Sequence, residues 1–468
     1  MSGQAGNAAK EDTIAAISTP LGEGGIGIVR VSGPEAIPVS QKVFRPKKNE
    51  AWSEGPGYRL VYGFVVDPQN GVVIDEVLLS LMRAPYSYTT EDVVELNCHG
   101  GIVAVKKVLE AVVAAGARPA NPGEFTQRAF LAGRIDLCQA EAVLDVIRAA
   151  TEEGFRVAQG QLQGRLSLEI GELRREAVAL LCAVEAGLDF PEDVPGPDRE
   201  ELLAGLRGLK AKGRRLLENA SAGAVYRDGV ITVLAGKANV GKSSLLNALA
   251  GKDRAIVTAA PGTTRDVIEE VVNVDGVPLR VQDTAGIREA VEEVEKIGVN
   301  RAREALATAQ LVLVVLDATA GVTAEDEAVF HAGAGRERII VVNKMDAVPV
   351  PLDREKVDAL AEGIPVVYIS ALTGQGLGKL RQAISEKVFG GAVLKPEEVV
   401  VSRVRHKEAI NRFAAGIEAA VAGLTKGVPD DLISLDLRRG LEALGEITGE
   451  TVTEDVIEGI FRDFCVGK

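Results

Sequence analysis

Gly236-Lys237-Ala238-Asn239-Val240-Gly241-Lys242-Ser243 decides the fold of residues 225 to 385. The spacing is a complete G-x-x-x-x-G-K-[ST] phosphate loop. Four further segments follow it in order: Gly262-Thr263-Thr264-Arg265-Asp266, Asp283-Thr284-Ala285-Gly286, Asn343-Lys344-Met345-Asp346 and Ser370-Ala371-Leu372. One such loop alone is weak, but five segments in this order specify a guanine-nucleotide switch. Apolar strands expected at 229–235, 277–282, 310–316, 338–343 and 365–369, most of them separated by helices, give a largely parallel α/β sheet with its ligand at the strand carboxyl ends.

The chemistry assigns each residue a task. Backbone N–H groups around Gly241 converge on phosphate at the start of the helix carrying Ser243 and Ser244. Lys242 bridges the β- and γ-phosphates, the Ser243 hydroxyl binds Mg²⁺, and Thr264 is the candidate second Mg²⁺ ligand. Asp283 reaches Mg²⁺ through water and the Gly286 N–H faces the γ-phosphate. The Asp346 carboxylate accepts from the N1 and N2 protons of guanine, which adenine lacks. An unpaired buried carboxylate costs several kcal/mol, which excludes ATP. Asn343 ties the loops together, Lys344 lies against the base, and the Ala371 N–H contacts the guanine O6. Ile287 stands where Ras-like switches carry a water-orienting Gln. The next stretch offers Glu289, Glu292, Glu293 and Glu295, and side-chain chemistry alone does not choose among them.

A chain of 468 residues exceeds one core, so two to four domains are expected. Its 46% hydrophobic and 26% charged residues suit a soluble globular protein, and no apolar run reaches the roughly 18 residues of a membrane span. Cys98, Cys138, Cys182 and Cys465 form no C-x-x-C, which points to reduced thiols, and with 3 His a His-rich metal site is not expected. A net charge of -14 is a poor match to nucleic acid, so any RNA would be engaged through a local patch or a basic partner. Near the start, Gly22-Glu23-Gly24-Gly25-Ile26-Gly27 spells G-x-G-x-x-G, but a β-branched strand follows it where a dinucleotide site needs a helix. It reads instead as the turn between strands 14–17 and 28–31. Strands at 57–66, 72–83 and 92–98 and helices near 102–115 and 124–132 make an α+β domain. From about 135 the pattern is helical, with Leu137, Ala140, Val143, Leu144 and Ile147 on one face, then helices over roughly 151–188 and 198–220, and again at 402–424, 430–447 and 452–463, so the switch domain reads as an insertion between two helical halves that must pack together.

Taken together, the chain resembles the MnmE (TrmE) tRNA-modification GTPases from Asp12 to Lys468. Outside the switch, the resemblance rests on Asp12-Thr13-Ile14-Ala15-Ala16, Pro85-Tyr86-Ser87-Tyr88-Thr89-Thr90-Glu91-Asp92, Asn121-Pro122-Gly123-Glu124-Phe125-Thr126-Gln127-Arg128-Ala129-Phe130, Asp136-Leu137-Cys138-Gln139-Ala140-Glu141-Ala142 and the terminal Phe464-Cys465-Val466-Gly467-Lys468. It implies a multidomain α/β architecture: a folate-binding N-terminal domain over 1–122, an all-α domain in halves 123–222 and 387–468, and an inserted Ras-like P-loop G domain over 223–386. It further implies a cytoplasmic homodimer working with the FAD-dependent MnmG (GidA) protein, as a heterotetramer that engages tRNA. The reaction implied is K⁺-activated GTP hydrolysis coupled to an aminomethyl-type modification at C5 of the wobble uridine, drawing a one-carbon unit from 5-formyl- or methylene-tetrahydrofolate. The nucleotide loop implied runs through Thr258, Ala259, Ala260, Pro261, Gly262 and Thr263. K⁺ would be held by Asn239, Thr258, Ala260 and Thr263, and Glu295 matches the family's water-orienting glutamate. The matching folate positions are Arg30, Glu95, Arg134 and Lys468. Ala238 departs from the family's usual proline and removes no ligand. The alternative is a regulatory GTPase of ribosome assembly, but 392–468 lacks the G-x-x-G of a KH module.

Overall fold

A computed structural model describes residues 12–48, 51–55, 57–190, 192–193, 196–251, 269–282, 305–347, 354–390 and 398–468. They form two compact units, 1–144 with 445–468, and 145–444.

The first unit is built on a seven-stranded sheet in the order β3-β4-β5-β6-β2-β1-β7. The strands are β1 (Ile14–Ile17), β2 (Gly27–Ser32), β3 (Phe44–Pro46), β4 (Arg59–Val66), β5 (Val73–Met82), β6 (Val93–Cys98) and β7 (Arg118–Pro119). β1 pairs antiparallel with β2, so the glycine run between them is a hairpin connection and opens no helix. Alternation in β2 buries Val29 and Val31 in a core shared with Val94, Leu96, Val105 and Val108. It sends Arg30 to the opposite face, where the β2–β6 register sets it across from Glu95. On that face lie Ile14, Ala16, Ala120 and Phe125. Three elements of this unit escaped the sequence expectation: helix Ala36–Val43 and the short strands β3 and β7.

The C-terminal helix Glu454–Arg462 belongs to this unit. Its Phe461, with Phe464, packs on Leu137, Ala140 and Leu144 of helix Leu137–Arg148. The tail then bridges back, Val466 pairing with Pro122. Gly467 sits at φ +100, with Ile17 carbonyl oxygen where a Cβ would stand, so only glycine carries the chain through.

In the second unit the helix expected over 151–188 is two helices, Glu152–Leu162 and Arg165–Asp189. Gly164 between them has φ +82, a left-handed turn that ends one helix and caps the next. Helix Arg199–Glu218 and helix Val404–Lys426, distant in sequence, lie side by side. Gly213 leaves room for Phe413, and Lys210 pairs with Glu418 at 2.7 Å.

The six-stranded sheet of this unit has the order β13-β12-β11-β8-β10-β9. Its strands are β8 (Val230–Ala235), β9 (Glu269–Val274), β10 (Val277–Gln282), β11 (Leu311–Asp317), β12 (Glu337–Asn343) and β13 (Val366–Tyr368). All neighbours are parallel except β9 and β10, joined by a tight turn at Asp275-Gly276. Strand β9 was not expected. In β11, Leu311, Leu313 and Val315 enter one core while Val312, Val314 and Leu316 enter the other. A strand buried on both faces reads as a continuous apolar run, and such strands carry their polar residues at the ends. Asp317 ends β11 directly beside Asn343, which ends β12.

Candidate nucleotide and folate sites

Strand β8 delivers the chain into the phosphate loop at Gly236, whose φ is +155 and whose missing Cβ would strike the Val315 carbonyl oxygen. Asn239 (φ +60) and Gly241 (φ +95) are both left-handed. A left-handed asparagine costs on the order of 1 kcal/mol, and it turns successive N–H groups inward. Helix Lys242–Ala250 starts at once, with no side chain capping its first turn. Those N–H groups and the helix dipole are the chemistry a phosphate requires. The Lys242 ammonium donates to the Gly236 carbonyl (2.7 Å) and the Lys237 carbonyl (2.6 Å) across the loop. Ser243 and Ser244 are exposed at the helix start.

The loops after β12 and β13 are wired to the phosphate loop. Asn343, 2% exposed, donates from Nδ2 to the Val240 carbonyl (3.0 Å) and accepts at Oδ1 from the Ala371 N–H (3.0 Å). A side chain on Gly241 would collide with Asn343 Nδ2, so glycine there admits the bridge. Ser370 donates to Asp346 Oδ1 at 2.5 Å and fixes that exposed carboxylate's orientation. Leu372 is 85% exposed beside it. The Lys344 ammonium donates to the Asn239 carbonyl and to Asp317 Oδ2, each at 2.6 Å. Burial pushes the Asp317 carboxyl up, but hydrogen bonds from Lys344 and Thr319 outweigh it and hold the group below the usual carboxylate range. Asp317 was missed from sequence. Its signal was a lone carboxylate closing a six-residue apolar run.

Thus Asn239, Val240, Gly241, Lys242, Ser243, Asn343, Lys344, Asp346, Ser370 and Ala371 meet at one edge of the sheet. Thr258, Ala259, Ala260, Pro261, Gly262, Thr263, Thr264, Asp283, Thr284, Ala285, Gly286 and Glu295 lie outside the described residues. So do the other candidate glutamates Glu289, Glu292 and Glu293.

In the first unit, Arg30 donates from Nε to Glu95 Oε1 at 2.8 Å and from Nη1 to the Gly467 carbonyl at 3.4 Å. Its guanidinium lies over Tyr88 (5.4 Å to the centroid) and Phe125 (5.6 Å). Arg134 lies over Tyr88 as well, at 5.0 Å, and donates to the Tyr88 carbonyl at 3.2 Å. Ser18 Oγ donates to the Gly467 carbonyl at 3.1 Å. Burial first, then the Arg30 charge, pushes the Lys468 ammonium below its ordinary range, against the pull of Glu95 and Cys465. Arg30, Glu95, Arg134 and Lys468 therefore converge although they span the whole chain. Two arginines over the Tyr88 ring, with Glu95 on Arg30 and Lys468 close to that pair, offer a carboxylate and cations of the kind a planar, amino-bearing ring with an anionic tail needs. Tyr88 was quoted in the sequence without a role; in the structure both arginines lie over its ring. Beside this group, Arg128, 5% exposed, binds the carboxylates of Asp12 (2.6 Å), Glu124 (3.0 Å) and Glu91 (3.1 Å).

Comparison with known proteins decides the family. The family model for the MnmE helical domain matches residues 137–465, and that for the GTP-binding protein TrmE N-terminus matches residues 13–134. The tRNA modification GTPase MnmE of Desulforamulus reducens is 48% identical over 463 residues, covering 98% of this chain and 100% of the relative. The chain belongs to the MnmE family of tRNA modification GTPases. The Geobacillus kaustophilus MnmE is 50% identical over 462 residues, 98% of this chain and 99% of the relative. Among solved structures, the G domain of the T. maritima FeoB iron transporter is 31% identical and covers 33% of this chain and 96% of that one, with a TM-score of 0.26. Among the described residues no helix is long and apolar enough to cross a membrane.

Proposed function

We propose that this MnmE-family GTPase hydrolyses GTP under K⁺ activation and, with an FAD-dependent MnmG partner, modifies C5 of the wobble uridine of certain tRNAs using a folate one-carbon unit. The carrying observation is the wiring through Asn343, which joins the phosphate loop to the loop after β13 by two hydrogen bonds and supports reading the two as one pocket for phosphate and guanine. Lys242 and the helix N–H groups hold the phosphates. Asp346, oriented by Ser370, selects guanine. Ser243 and Thr264 would hold Mg²⁺, and Asn239, Thr258, Ala260 and Thr263 would hold K⁺. A cation there supplies charge to offset what develops on the phosphates. Glu295 orients the attacking water.

In the N-terminal unit, Arg30, Glu95, Arg134 and Lys468 take a reduced folate, with Tyr88 as the stacking surface. We assign the domains as 1–122, 123–222 with 387–468, and an inserted 223–386, in a cytoplasmic homodimer that reaches tRNA mainly through the partner complex. The acidic net charge of -14 supports that last assignment.

The test is GTP turnover by the full chain in KCl and in NaCl at equal ionic strength. Strong stimulation by K⁺, lost in Asn239→Ala, supports the reading; equal slow rates in both salts refute the cation site. Wobble-uridine nucleosides unchanged in a deletion strain refute the tRNA assignment.

A further inference from the structure

The second residue of the phosphate loop does something the five motifs leave unassigned. Lys237 turns away from the loop and buries its ammonium against Asp326 Oδ2, at 2.7 Å, while donating to Thr323 Oγ1 at 2.8 Å. Thr323 passes the contact on: its hydroxyl donates to the same Asp326 oxygen at 2.9 Å and its N–H at 3.0 Å. Asp326 is 2% exposed, and its other oxygen, Oδ1, takes no hydrogen bond among the described residues. Among the described residues, Lys237 is the cation paired with this buried carboxylate. Such a charge is strongly destabilising when its partner is removed, so the pair holds its geometry tightly.

The same loop is gripped on its other side. Lys344, fixed by Asp317, holds the Asn239 carbonyl, and Lys242 holds the carbonyls of Gly236 and Lys237. Both aspartates come from one stretch, the end of β11 and helix Ala324–Ala332 that follows it. Two Lys–Asp pairs therefore bracket Lys237 to Asn239, the part of the loop that carries the left-handed asparagine.

We infer that Asp326, acting through Lys237, is a positioning residue for the nucleotide site: the pair preorganises the phosphate loop so that Asn239 and the following N–H groups face the ligand before it arrives. The inference rests on the proposed nucleotide site. A loop already held pays less ordering cost on binding, so the pair acts on affinity more than on turnover.

The experiment uses the full chain with Lys237→Met, Lys237→Arg, Asp326→Asn and the double variant Lys237→Met/Asp326→Asn. It titrates each with fluorescent GDP and GTP and measures kcat at saturating GTP and thermal unfolding. Each neutral single variant should lose about tenfold in affinity for both nucleotides, and the double variant no more than the worse single one. Lys237→Arg should stay within about threefold of the parent, and kcat should stay within about threefold throughout. If Asp326→Asn binds as well as or better than the parent while Lys237→Met weakens, Lys237 touches the nucleotide itself and the inference fails. If Asp326→Asn only lowers the melting temperature and Lys237→Met changes nothing, Asp326 serves only the capping box it forms with Thr323 and the inference fails. If the parent itself binds no guanine nucleotide, the site reading falls and takes this inference with it.

Discussion

Truncating Asn343 to alanine tests whether the base loop and the phosphate loop act as one pocket. The side chain is buried and makes two hydrogen bonds, one to each loop, both 3.0 Å long. A typical intramolecular hydrogen bond contributes a net ~0.5–1.5 kcal/mol, so losing both costs about 1–3 kcal/mol. The Val240 carbonyl and Ala371 N–H left behind lie in the proposed nucleotide site, so on that reading the loss falls on the bound state as well as on the fold. At 1.4 kcal/mol per factor of ten, nucleotide affinity should drop by roughly 5- to 150-fold. A water entering the vacated space would set the low end. The bridge meets the loop at Val240 and the base loop at Ala371, so GDP and GTP should weaken by the same factor. Titration with fluorescent GDP and GTP, alongside thermal unfolding without ligand, separates affinity from folding. Affinity within twofold of the parent at unchanged stability would refute the single-pocket argument. A loss confined to GTP would move Asn343's role to the γ-phosphate and refute it equally.

Asp346→Asn should lose two charge-assisted hydrogen bonds to guanine, each about 1.5–3 kcal/mol, and so weaken GTP by at least about 100-fold while gaining xanthosine triphosphate, as competition titration would read. Arg30→Met should abolish measurable binding of 5-formyltetrahydrofolate in equilibrium dialysis without changing GTP affinity, because it strips Glu95 of its 2.8 Å partner and Tyr88 of a stacked cation. Acid should weaken the N-terminal unit: burial raises the Asp12 and Glu124 carboxyls, but hydrogen bonds from Arg118 and Arg128 prevail and hold both below their ordinary values. The folded state then binds fewer protons than the unfolded one, so this stability is full above about pH 4.5 and is lost as pH falls through the depressed values, which urea midpoints from about pH 6 to 3 would follow. Glu295→Ala should keep nucleotide affinity and lose hydrolysis, and an equal loss of both in titration and turnover would assign it a structural role instead.

The G-domain core was legible because its strands announce themselves. Leu311 to Leu316 is six apolar residues closed by Asp317, and a strand buried on both faces has no other way to be written. The strand ends then place Gly236, Asn343 and Ser370 together, since parallel strands bring their carboxyl ends to one edge. Strand β9 was not legible: Glu269-Glu270-Val271-Val272-Asn273-Val274 lies at the sheet edge, and its register is set only by pairing with β10. The break between helices 152–162 and 165–189 was missed for a local reason. Periodicity runs on through Gln163-Gly164, and one left-handed glycine is enough to stop a helix that apolar spacing would continue.

What residue spacing cannot give is partnership at long range, which for Arg30 and Lys468 came only from the family resemblance. Arg30 and Lys468 stand at opposite ends of the chain, and no spacing rule joins them. What joins them is the route of the tail, Phe461 and Phe464 packed on Leu137 and Leu144, then Val466 paired with Pro122, then a glycine at φ +100 that slips past Ile17. Each step is ordinary packing, yet their sum carries the terminal lysine to the face where Arg30 meets Glu95. Lys237 and Asp326 pose the same problem. In sequence, Lys237 fills an unspecified position of the phosphate-loop pattern and Asp326 is one acidic residue among three in the first turn of its helix. Asp326 differs from its solvent-facing neighbours Glu325 and Glu327 in its burial, its capping-box bonds from Thr323 and its pairing with Lys237. A charge that pays desolvation beside a ligand loop is held there by what it positions, so buried ionic partners of motif residues are where the motif's unwritten half should be sought.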